Sequence, residues 1–83
     1  MDFKSKHTDD YRCIIQQLRN IREEKRITQN ELANLLGCNQ TIISKIETFE
    51  RRLDIIELRI ICKKLNVDFV DFVTNIDKRL SND

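Results

Sequence analysis

The chain has no proline and a single glycine, Gly37, in 83 residues. With so few residues that can end a helix, that glycine marks the place where a sharp corner is written into the sequence. It stands within ELANLLGCNQTIISKIE, residues 31–47, between two short stretches of helical spacing. The residue that follows a helix often takes a positive φ, which glycine adopts without steric penalty. Ala33, one turn earlier, is small enough to let the next helix come close. Leu32 and Leu36 before the corner are spaced to meet Ile43 and Ile46 after it. Residues 28–48 are therefore predicted to form a helix-turn-helix whose second helix stands outward.

Elsewhere the apolar residues recur at intervals of three and four, the signature of helices with one buried face. A first helix is expected from about Asp9 to Lys25, burying Tyr11, Ile14, Ile15, Leu18 and Ile21. Asp9 and Asp10 would sit at its positive end, and residues 1–8 would form a flexible polar tail. Thr28 and Glu31 have capping-box spacing and open the second helix, which buries Leu32, Leu35 and Leu36. Asn39 can cap the third helix, about 40–48. Asp54 and Glu57 repeat the capping spacing before a fourth helix with Ile55, Leu58, Ile61, Cys62 and Leu65 inward. Asn66 suits a left-handed cap, and a fifth helix spans about 68–80 with Phe72 in the core. The expected fold is all-α: five helices in one domain over residues 9–83.

Composition excludes several function classes. Hydrophobic residues make up 40% and charged residues 35%, the mix of a globular domain. No apolar run approaches the roughly 18 residues of a membrane span, and no signal-type stretch opens the chain, so a cytoplasmic location is expected. Cys13, Cys38 and Cys62 are too widely spaced for a zinc site, and an odd number is no disulfide framework. His7 has no neighbouring ligand. With no metal spacing, phosphate loop or nucleophile–base pairing, neither a cofactor nor an enzyme is expected. The net charge is only +1, so affinity for nucleic acid would depend on where the cations stand.

Residues 18–73 resemble the Cro/repressor-type (xenobiotic response element, XRE) helix-turn-helix family. The resemblance is carried by LRNIREEKRITQNELANLLGCNQTIISKIE and continues through RRLDIIELRIICKKLNVDFVDFV. It implies a lambda-repressor-like domain that sets its second and third helices over the major groove of double-stranded DNA, usually as a dimer. It also implies a structural ion pair between Arg22 and Glu47, and a phosphate contact at Gln29. Arg26 and Phe49 stand where the family often has glycine, and Leu53 where proline is frequent. Phe49 leaves two outcomes for the turn after the third helix: rearrangement, or tolerated strain.

The amino-terminal side chains of a reading helix reach base edges. Gln40 can pair bidentately with adenine, Thr41 can bond a base or press on a thymine methyl, and Lys45 can meet guanine or phosphate, with Ser44 beside it. Gln29, Asn39, Arg51 and Arg52 are the candidates for the DNA backbone. Phe69, Val73, Ile76 and Leu80, spaced 4, 3 and 4, form a seam, and Ile56 and Ile60 can join it as a homodimer interface. The expected function is a sequence-specific transcriptional regulator, a dimeric repressor on an inverted repeat. A protein-interaction module of the same fold, an antitoxin and a restriction-modification controller are the alternatives.

Overall fold

The computed structural model describes the backbone of residues 3–80 and the side chains of residues 9–80. Five helices follow one another: α1 Phe3–Glu24, α2 Gln29–Leu36, α3 Gln40–Glu47, α4 Ile55–Lys64 and α5 Phe69–Leu80. Two of these have only eight residues and would not persist alone in water. A shared core holds them. Ile15 and Leu18 come from α1, Leu32 and Ala33 from α2, Ile43 and Ile46 from α3, Ile61 and Cys62 from α4, and Phe72 and Ile76 from α5. Burial pushes the Cys62 thiol up to about 11, as expected of a cysteine that serves as apolar filler. Among the described residues, no helix is long and apolar enough to cross a membrane.

The local signals act as their spacing predicts. Thr28 accepts from the Glu31 N–H while the Glu31 carboxylate accepts from the Thr28 N–H, and Asp54 and Glu57 make the same reciprocal pair. Asn39 Oδ1 accepts from the Ile42 N–H and caps α3. Gly37 is left-handed at φ 72°, and its N–H closes α2. Asn66 is left-handed at φ 58°.

Several expectations are corrected. α1 begins at Phe3, so residues 3–8, expected as a tail, are helical, and Asp9 and Asp10 lie inside the helix rather than at its start. Nothing in FKSKHTDD breaks a helix, and its polar composition alone did not exclude one. Met1 and Asp2 lie outside the described residues. Leu35 is 48% exposed and Ile55 62% exposed, although both were expected inward. Ile76 is only 7% exposed; it packs in the core and is withdrawn from the seam.

Arg22 and Glu47 are both buried, at 6% and 8% exposure. The guanidinium grips the carboxylate through two parallel bonds, Nε to Oε2 at 2.7 Å and Nη2 to Oε1 at 2.9 Å. Its Nη1 donates to the Ile27 carbonyl at 2.7 Å. One side chain of α1 therefore holds both the end of α3 and the loop that leads into α2. Replacing Glu47 by glutamine keeps the shape and strands the buried cation. The expected loss of stability is about 3 kcal/mol, measured as a lower urea midpoint; an unchanged midpoint would show that the charge is unimportant.

Among the described residues, three with side chains sit in the left-handed region: Arg26 at φ 59°, Phe49 at φ 67° and Asn66. The turn after α3 thus keeps the corner that the family forms with glycine and tolerates Phe49 within it. A left-handed residue costs roughly 1 kcal/mol more than glycine there. Arg26 is exposed, so Arg26→Gly gives up little packing. It should raise stability by about 0.5–1 kcal/mol, read in the same denaturation assay.

Two carboxylates at helix starts are held below their ordinary range. The Thr28 backbone N–H, helped by its hydroxyl, holds Glu31 below the ordinary carboxyl value of 4.5. The Arg51 guanidinium, then the Asp54 backbone N–H, does the same for Glu57. Each group binds its proton less readily when folded, so its contribution is complete above 4.5 and is lost as pH falls through the lower folded value. The urea midpoint should change little between about pH 7 and 5 and then fall. Glu57→Gln should make that fall shallower.

Candidate nucleic-acid interface

Ile43 and Ile46 anchor α3 at 2% and 5% exposure. With those positions turned inward, helical geometry turns 40, 41, 44 and 45 outward. Gln40, Thr41 and Lys45 are exposed, Ser44 is half-exposed and Ile42 is half-buried. All four of the outward residues are polar. A strip of this kind, on a helix standing proud of the body, fits the geometry of base-edge readout.

Gln40 is held in place. Its Nε2 donates to Gln29 Oε1 at 3.1 Å, and Gln29 Nε2 donates to Glu47 Oε1 at 2.9 Å. Gln40 and Glu47 are seven residues apart and so share a face of α3. Gln29, the first residue of α2, spans the two ends of that face. The network then runs through Arg22 to the Ile27 carbonyl. Gln40 keeps its carbonyl oxygen and a second amide N–H for a ligand. Sequence reasoning gave Gln29 only a phosphate role; its second role, as the link between Gln40 and the buried ion pair, becomes visible only when both ends of α3 are in place.

The backbone candidates divide. Asn39 uses its carbonyl oxygen on the α3 cap. Arg51 is drawn to Glu57 at 2.7 Å, and that hydrogen-bonded charge raises its affinity for its proton. Arg52 is exposed, and its guanidinium lies over the Tyr11 ring, 4.6 Å from the centroid. Arg12, which the sequence did not single out, lies over the Phe49 ring at 4.8 Å. The pattern that could have marked it is its place two helical turns before Arg19, on the side of α1 that meets the end of α3: Arg19 is 4.0 Å from Glu47.

The expected partner seam is also redrawn. Ile56, Ile60 and Val73 are exposed at 60%, 41% and 41%, and Phe69 and Leu80 are half-buried. Val70, not anticipated, is 68% exposed.

The sequence matches the helix-turn-helix family over residues 18–72. No curated protein matches it. Among solved structures the fold is similar to an XRE-family like protein from Pseudomonas syringae pv. tomato str. DC3000. The two share 34% sequence identity and a TM-score of 0.88, covering 93% of this chain and 94% of the other. Residues 18–72 of this chain contain both helices of the turn, Arg22 and Glu47, and the polar edge of α3. The chain therefore belongs to the XRE family of helix-turn-helix proteins, a family of DNA-binding regulators.

Proposed function

We propose that the protein is a cytoplasmic, dimeric repressor that reads an inverted-repeat operator with α3 in the major groove. The observation that carries this reading is the exposed edge of α3 with Gln40 already fixed by Gln29. An amide fixed in this way enters the groove in a defined orientation, so little side-chain freedom is lost on binding. Its remaining acceptor and donor suit N6 and N7 of adenine. Thr41 and Ser44 read or contact neighbouring base pairs, and Lys45 meets a guanine or a phosphate further along. Gln29, at the amino end of α2, faces a backbone phosphate with the help of the helix's first amides. Arg52 supplies a second phosphate contact.

Repression follows from occupancy: a bound dimer covers promoter DNA. The exposed aliphatic residues Ile56 and Ile60 on α4 and Val70 and Val73 on α5, two helices that pack together, support self-association. A two-fold dimer sets the reading helices about 34 Å apart, one turn of DNA.

Selection of bound fragments from a random DNA pool tests the whole reading. The expected product is an inverted repeat with half-sites about 10 base pairs apart. Gln40→Ala should lose preference at one position in each half-site, at a cost of about 1–3 kcal/mol against the wild-type site. Ile60→Glu should leave half-site preference intact and abolish the requirement for the repeat. Failure to enrich any sequence would overturn the proposal.

A further inference from the structure

Besides Arg19, which is 4.0 Å from Glu47, four arginines lie around the exit of α3. Arg22 and Arg51 place their donors on the carboxylates of Glu47 and Glu57, each at 2.7 Å. Arg12 and Arg52 differ. Neither makes an ion pair among the described residues, and each guanidinium lies instead on an aromatic face, Arg12 on Phe49 and Arg52 on Tyr11. A ring attracts a cation through its quadrupole and takes up none of the in-plane N–H donors. The two side chains are thus positioned and exposed, with their hydrogen-bonding capacity intact.

The two contacts belong to one joint. Tyr11 and Arg12 are neighbours on α1, and Phe49 and Arg52 lie three residues apart in the turn after α3. The Leu53 N–H donates to the Tyr11 hydroxyl at 3.0 Å, which fastens that turn to the helix. Of the nearby carboxylates, Glu50 accepts from the Thr48 hydroxyl at 2.6 Å and Asp54 caps α4, while Asp9, three residues before Arg12 on α1, is exposed. α3 has eight residues and is about 12 Å long, close to the width of the major groove. A duplex that receives this helix therefore carries its backbone past the helix's exit, where Arg12 and Arg52 stand.

We propose that Arg12 is a DNA phosphate-binding residue and that, with Arg52, it forms a two-guanidinium clamp on the DNA backbone beside the reading helix. The clamp rests on the DNA-binding reading given above. It extends the contact surface to the amino-terminal half of α1, upstream of residue 18, where the family match begins. It also replaces Arg51 as the partner of Arg52, since the Arg51 charge is already neutralised by Glu57. A guanidinium held flat and fully hydrogen-bond-competent favours a phosphate, whose oxygens accept the parallel N–H pair.

The test is the salt dependence of binding by the full chain to a random-sequence duplex of about 20 base pairs, from about 50 to 300 mM KCl. No operator is needed, because phosphate contacts carry no base information. Arg12→Gln should lower the slope of log K against log salt by about 1 per bound protomer, and the Arg12→Gln/Arg52→Gln double variant by about 2 per protomer. Arg12→Lys should restore most of the slope, and Arg51→Gln should leave it unchanged. A melting curve accompanies each variant. If Arg12 only supports the Phe49 ring, Arg12→Gln lowers the melting temperature and leaves the slope intact, which overturns the clamp alone. A wild-type chain that binds no duplex even at low salt overturns the clamp and the DNA-binding reading together.

Discussion

The structure depends on one buried ion pair. Burying two charges is costly, and a pair such as Arg22–Glu47 is poor evidence of stability when compared with apolar residues of the same volume. Its value here is geometric. The two parallel bonds fix the direction of both side chains, the Ile27 carbonyl takes a further donor, and among the described residues no buried side-chain polar atom lacks a partner. An apolar replacement could fill the space without setting the angle at which α3 leaves the body. Through Gln29 the same pair also sets the position of Gln40. An exposed side chain at the start of α3 is thus connected, bond by bond, to the interior.

How much of this could be read from the residues depended on the range of the interactions. The two capping boxes, the Asn39 cap and the corner at Gly37 involve groups within five residues of one another, and each took the form its spacing dictates. Inward and outward faces were less legible. A helix of eight or ten residues makes only two or three turns, and a residue at the edge of its apolar stripe can go either way. Leu35 and Ile55 turned out, and Ile76 turned in beneath α1, because neighbouring helices decide such positions. The start of α1 was missed for another reason: its first two turns have no apolar stripe to detect.

Formal charge was equally uninformative. A net charge of +1 describes a nearly neutral chain, yet the cations are not distributed evenly over the surface. At the exit of α3, Glu47 and Glu57 neutralise two arginines from within, while aromatic rings support two others in the solvent. Counting residues assigns all four the same weight. The difference lies in partners brought together across 25 residues for Arg22 and Glu47 and across 37 for Arg12 and Phe49.

The corners at Arg26, Phe49 and Asn66 have a mechanical consequence. Glycine can move among several backbone basins, whereas a residue with a side chain occupies a narrow left-handed well. Of the four left-handed corners, three are built from the stiffer kind. Backbone freedom at these three corners is narrower than glycine would allow, while the corner leading into α3 keeps its glycine. Corners of this kind favour a partner that fits the surface as it stands over one that must reshape it.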